Sequence, residues 1–151
     1  MPIEIYPGLW LGNRKDSTNI NFIKKKKINC IINITKTLEH SSKVGIEKIR
    51  IPITEPDNKY YSKNNIDMYD YLSDVTEFIH KKIQNFENVL VHCYDGIQRA
   101  PTVVAAFIIR YGDVVPNKSI QYIKSKYMDV FGEKCYYYYA LRKFYDYLNN
   151  K

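Results

Sequence analysis

Apolar positions change period along the chain and divide it into elements. Residues 4–11 read as two short strand pieces, broken at Pro7-Gly8 where the chain favours a turn. Asp16 or Ser17 is placed to cap a short helix that ends in the lysine run 24–27. Residues 28–34 and 46–53 are rich in isoleucine and predict buried strands. From Asp67 the period lengthens: Met68, Tyr71, Leu72, Val75, Ile79, Ile83 and Phe86 share one helical face. Val89, Leu90 and Val91 then form a short apolar strand that runs straight into His92 and Cys93. A second helix is predicted over residues 100–111. A third starts near Asn117 with Ile120, Ile123 and Tyr127 on one face. A last one carries Tyr137, Leu141, Phe144, Tyr145 and Leu148 on one face. Alternating strands and helices predict an α/β fold with a largely parallel central sheet flanked by helices. Ligands of such sheets bind beyond the carboxyl ends of the strands. The segment VHCYDGIQRAPTVVAAF, residues 91–107, lies at such an end.

Composition narrows the class. At 151 residues the chain suits one domain, and 45% apolar with 26% charged residues is ordinary for a globular protein. The longest apolar run, residues 103–109, is too short to span a bilayer. The N-terminus has neither the basic nor the apolar region of a signal peptide, and three cysteines argue against a secreted disulfide scaffold. The expectation is an intracellular, cytoplasmic protein with no membrane partner. The net charge of +7 could aid encounter with phosphorylated protein, nucleic acid or anionic lipid. Ile, Lys and Asn number 20, 18 and 13, as in translation of an A/T-rich genome, so lysine abundance alone argues little. The run 24–27 is better read as a solvated helix end.

The segment after Val91 carries the chemistry. A strand delivers Cys93, five residues follow, then Arg99 and a helix. A loop this short turns its backbone N–H groups inward as an anion nest, and the helix start adds positive potential. Gly96 eases the tight curve. Arg99 offers a planar fork matched to two phosphate oxygens. Cys93, among those donors, is expected to be a thiolate near neutral pH, and a thiolate facing phosphate is a nucleophile aimed at phosphorus.

His92-Cys93, five residues and Arg99 resemble the signature of the cysteine-dependent protein phosphatases. The rest of the chain is similar to their compact dual-specificity branch. Ile5-Tyr6-Pro7-Gly8-Leu9-Trp10-Leu11-Gly12 resembles its opening strand-turn-strand, residues 28–35 its next strand, Ile51-Pro52-Ile53 the strand before its acid loop, and Arg99-Ala100-Pro101-Thr102 its Arg-Ser-Pro-Thr. The resemblance covers nearly the whole chain and implies one catalytic domain over residues 1–151, with a mostly parallel five-stranded sheet. It implies a two-step, metal-free reaction without cofactor: Cys93 attacks phosphorus, while Arg99 and the N–H groups of Tyr94, Asp95, Gly96, Ile97 and Gln98 hold the oxygens. His92 supports the cysteine rather than acting as base. A carboxylic acid protonates the leaving oxygen. Asp57 is the favoured acid; Glu55, which a count from the Ile-Pro strand puts on the position, is the alternative.

Ala100 departs from the branch, which usually has Ser or Thr there, although the regenerating-liver phosphatases share Arg-Ala-Pro. Without that hydroxyl the second step is expected to be slow, which leaves a phospho-protein binding module as an alternative. RNA 5′-phosphatase activity is another, because of the net charge. Asp95 disfavours phosphoinositides. Thr35 stands where some relatives carry a second cysteine, so no disulfide to Cys93 is expected from Cys30 or Cys135. The loops around Asp57 and residues 111–117 are expected to set pocket depth. The chain lacks the N-terminal helical extension with which poxvirus relatives dimerise, which gives the expectation of a monomer.

Overall fold

A computed structural model describes residues 2–40, 45–54 and 66–150. Strands β1 (Ile3–Tyr6) and β2 (Leu9–Gly12) form a hairpin. Helices α1 (Arg14–Ser17) and α2 (Ile20–Lys25) follow, then β3 (Ile28–Asn33) and β4 (Glu47–Arg50). Helix α3 (Ile66–Gln84) leads to β5 (Asn88–His92), and α4 (Arg99–Gly112), α5 (Pro116–Lys126) and α6 (Tyr138–Asn149) complete the chain. The sheet order is β1-β2-β5-β3-β4. Among the described residues only the β1–β2 pair is antiparallel; β5 lies at the centre, parallel to β2 and β3. This is the α/β architecture expected from the sequence.

Both faces of the sheet are covered, which is why its inner strands read as continuous apolar runs. On β5, Val89 and Val91 face a large core that includes Met68, Leu72, Val75 and Ile79 of α3 and Phe107 of α4. Leu90 faces the other way, into a smaller cluster with Phe22, Ile23, Ile28 and Ile31. The same alternation sends Cys30 and Ile32 of β3 to one side and Ile31 to the other. Among the described residues no helix is long and apolar enough to cross a membrane.

Three local expectations need correction. The single helix after β2 is two short ones, because Asn13 and Asn19 both cap. Asp16 is instead the third helical residue of α1, its carboxylate accepting from the Asn13 N–H at 2.8 Å in a capping box. The strand at 46–53 is regular only over Glu47–Arg50, with one further bond from the Ile51 N–H to the Asn33 carbonyl at 2.9 Å before Pro52, which cannot donate to a ladder. Phe86 does not join the α3 face: the helix ends at Gln84, Phe86 takes a left-handed φ of 61°, and its ring is 94% exposed.

The lysine run closes α2 at the amino end of the sheet, where the side-chain amide of Asn88, the first residue of β5, donates to the carbonyls of Lys26 and Lys27. That puts it away from the carboxyl ends, as read from the sequence. The tyrosine run 136–139 is core and surface together: Tyr137 is buried and Tyr139 exposed.

Candidate active site

Strand β5 is held on both sides by parallel neighbours, so the residue that follows it is fixed in space. The Ile34 N–H donates to the His92 carbonyl at 2.8 Å, extending the β3–β5 ladder to the last residue of the strand. Cys93 comes next and is fully buried. Gly96 turns the loop at a φ of 79°, a left-handed value that a side chain would strain. Six residues after Cys93, Arg99 opens α4. The backbone N–H groups of Ala100 and Gly96 donate to the Cys93 sulfur, and the Arg99 charge acts on it.

Those donors favour a thiolate, but burial is the larger influence and pushes the Cys93 thiol up. Ala100, Arg99 and Gly96 pull down, and Asp95 adds a further push upward. The lowered pKa expected from the motif is therefore corrected: desolvation of a fully enclosed sulfur outweighs the donors around it. His92 is buried too, and burial takes its pKa down to about 4. It is neutral near pH 7. Its Nδ1 lies 3.3 Å from the Cys93 carbonyl, so a proton there fastens the loop's first peptide.

The remaining loop residues divide their work. Tyr94 is half-exposed at the rim, its carbonyl taking the Arg14 N–H at 3.1 Å and Arg14 Nη1 at 3.2 Å. The Arg14 guanidinium lies 3.9 Å from the centre of the Tyr94 ring, a cation–π contact. Asp95 accepts from the Ile97 N–H at 3.0 Å. The Ile97 carbonyl accepts from the Phe131 N–H at 2.8 Å. Gln98 is buried, its side chain turned toward the segment between α5 and α6. Arg99 Nη1 donates 2.9 Å to the carbonyl of Ile53, and the Tyr137 hydroxyl 3.1 Å to that of Thr54. The two donors hold residues 53 and 54 beside the site. Asp57 and Glu55 lie outside the described residues.

A cleft of about 460 Å³ opens beside Arg99, lined by Thr35, Thr37, Leu38, Glu39 and Tyr94. Its wall, residues 35–39, is held by a polar cluster. The Thr35 hydroxyl donates to Asn33 Oδ1 at 2.6 Å, and Asn33 Nδ2 to the Leu38 carbonyl at 2.8 Å. Arg50 donates to the Thr35 and Leu38 carbonyls at 3.0 and 2.7 Å. The sequence held no local signal for the part Arg50 plays in this wall, because its partners lie 12–15 residues away and meet it through the sheet. The expectation that residues 111–117 set pocket depth is corrected. They begin at the far end of the 14-residue α4, whose start is at the loop, and so lie about 20 Å away. Cys30, Cys93 and Cys135 are buried free thiols. Cys135 lies in the segment before α6, its sulfur 3.7 Å from the Thr102 hydroxyl.

Comparison with known proteins places this geometry. The family model described as "Dual specificity phosphatase, catalytic domain" matches residues 9–147. Human dual specificity protein phosphatase 7 is 32% identical over 127 residues, 83% of this chain but 29% of that protein. The chain thus spans under a third of that relative's length. The candidate tyrosine phosphatase 123R of Invertebrate iridescent virus 6 is 32% identical over 133 residues, 86% of this chain and 82% of its own. The crystal structure of human DUSP28 superposes with a TM-score of 0.85 over 97% of this chain and 94% of that one, at 16% identity, a likeness of fold. With a family match over most of its length and a buried cysteine ringed by amide donors and an arginine where β5 ends, the chain belongs to the dual specificity phosphatase catalytic-domain family.

Proposed function

We propose that this chain hydrolyses phosphate monoesters on proteins, phosphotyrosine first and phosphoserine or phosphothreonine where the cleft admits them. The observation that carries the reading is the Cys93 sulfur at the carboxyl end of the central strand, facing the N–H groups of Ala100 and Gly96 and the Arg99 charge. In this reading Cys93 is the nucleophile. Cys93 first gives its proton to solvent, helped by the N–H donors and the Arg99 charge; the thiolate then bonds to phosphorus as the phosphorus–oxygen ester bond breaks, giving a cysteinyl-phosphate, and water then releases inorganic phosphate and the thiolate. The loop N–H groups and the Arg99 fork hold the equatorial oxygens as charge spreads over them. Asp57 donates the proton to the leaving oxygen and then takes one from water, with Glu55 the alternative. His92, neutral and bonded to the loop, positions the cysteine. The chain acts as one catalytic domain, a monomer inside the cell.

The test uses the protein with phosphotyrosine and phosphothreonine peptides and a 5′-triphosphorylated RNA side by side. Release from the peptides and not from the RNA is expected. Cys93→Ser is expected to abolish turnover yet retain phosphopeptide binding, and substantial activity in that variant overturns the mechanism. Asp57→Asn is expected to slow esters of poor leaving groups by about 10²–10⁴-fold and aryl phosphates with acidic phenols far less. Equal losses for both transfer the role to Glu55 or to water.

A further inference from the structure

We infer that Gln98 is a positioning residue: its side-chain amide clamps the 131–136 segment to the phosphate loop and, by turning away from the start of α4, leaves that helix's N–H groups to the Cys93 sulfur and the phosphate. The inference rests on the reading of residues 93–99 as the phosphate site.

Gln98 is 4% exposed, and its amide is bonded on both ends. Nε2 donates to the Phe131 carbonyl at 2.9 Å and to the Lys134 carbonyl at 3.0 Å. Oε1 accepts from the Tyr136 N–H at 2.9 Å. The residue before it is tied to the same segment, since the Phe131 N–H donates to the Ile97 carbonyl at 2.8 Å. Four hydrogen bonds from two consecutive loop residues thus reach one stretch of chain more than thirty residues away. That stretch is itself pinned. Phe131 and Gly132 take left-handed φ values of 69° and 55°, the Phe131 ring is buried, and Lys124 Nζ donates to the carbonyls of Met128, Val130 and Gly132. The loop therefore leans on a backbone that cannot easily shift.

The position of Gln98 gives the clamp its second effect. Gln98 is the N-cap of α4, with φ −122° and ψ −62°, and makes no side-chain capping bond. Pro101 has no N–H, and the Thr102 N–H is taken by the Gln98 carbonyl at 3.1 Å. The Ala100 N–H goes to the Cys93 sulfur. A Ser, Asn or Asp at this cap would direct its own oxygen at the first-turn N–H groups, as cap side chains do. That oxygen would compete with the sulfur for Ala100. The longer Gln side chain, committed to the 131–136 segment, removes the competitor.

The test compares Gln98→Glu and Gln98→Met with the parent protein. The Glu variant keeps the shape but sets carboxylate oxygen against two carbonyls; the Met variant keeps the length without polar atoms. A loop displaced by about 1 Å loses about 10²-fold. A fall in kcat of about 10–100-fold for Gln98→Glu, and a smaller fall for Gln98→Met, is expected on an aryl phosphate. The pH profile of iodoacetamide alkylation at Cys93, followed by peptide mass, should move to higher pH in both. Circular dichroism and thermal melting establish that each variant is folded. If either folded variant melts lower but keeps the parent's kcat, KM and alkylation profile, Gln98 is only a structural tie and the inference fails. The alkylation profile needs no turnover, so it decides the role of Gln98 even if no phosphopeptide is hydrolysed and the proposed function falls.

Discussion

Ala100 shows how much a single missing atom can decide. Its N–H already donates to the Cys93 sulfur, and its side chain is fully buried at the start of α4. A hydroxyl there would give the sulfur a further donor when it leaves phosphorus as thiolate. A hydrogen bond to a charged group is worth about 1.5–3 kcal/mol, roughly tenfold or more in rate. With Ala in place, breakdown of the cysteinyl-phosphate is expected to limit turnover. Stopped-flow kinetics with an aryl phosphate should show a burst of phenol before the steady state. Ala100→Ser should raise the steady-state rate about tenfold and shrink the burst, with little change in the first step. A linear time course, unaltered by the substitution, would mean that Ala100 is merely a small residue tolerated at a helix start.

At the scale of elements, the site is a meeting of strand ends. Asn33 closes β3, Arg50 closes β4 and His92 closes β5, in register through the pairs Asn33–Arg50 and Asn33–His92. Asn33 and Arg50 spend their polar groups on residues 35–39, the wall of the cleft beside Arg99. Buried carbonyls left without donors cost about 1–3 kcal/mol each, so the wall should loosen when Arg50 is removed. Arg50→Met is expected to raise KM for a phosphopeptide about 3–10-fold, a loss near 1 kcal/mol of binding. The kcat for a small aryl phosphate, which needs only the loop and Arg99, should change little. An unaltered peptide KM would show that the wall does not touch the substrate.

Across the whole molecule, enclosure governs the ionisable groups. Burial, with a smaller push from Glu47, takes the Cys30 thiol up to about 12; burial takes Cys135 up to about 11. In the unfolded chain both ionise near pH 8.5. Above that pH the unfolded state has lost protons that the folded state keeps, so stability falls as pH rises. The decline runs from about pH 8.5 toward the folded values, at about 1.4 kcal/mol per pH unit for each thiol. Denaturant midpoints under reducing conditions at pH 8 and 10 should show it. A Cys30→Ala/Cys135→Ala protein, less stable at pH 8, should decline less steeply. An identical slope in that variant would assign the decline to other groups.

The order of elements and the loop that holds the site were legible in the sequence because they are local. Period-two and period-3.6 patterns report which face of an element is buried, and His92-Cys93 to Arg99 lies between one strand and one helix. Even there the caps were misplaced, since Asn13 and Asn19 compete with Asp16 and Ser17 for the same role and only the backbone geometry selects among them. What lies across the sheet was not legible. The strand order places β5 between β2 and β3, and so brings Arg14, residues 35–39, Ile53 and the 131–136 segment around the loop. Gln98 carries no local mark of its clamp, because its three partners lie 33–38 residues away. The direction of the Cys93 shift was decided in the same way. The motif supplies the donors, but the desolvation that outweighs them comes from the packing of the whole chain around one sulfur atom.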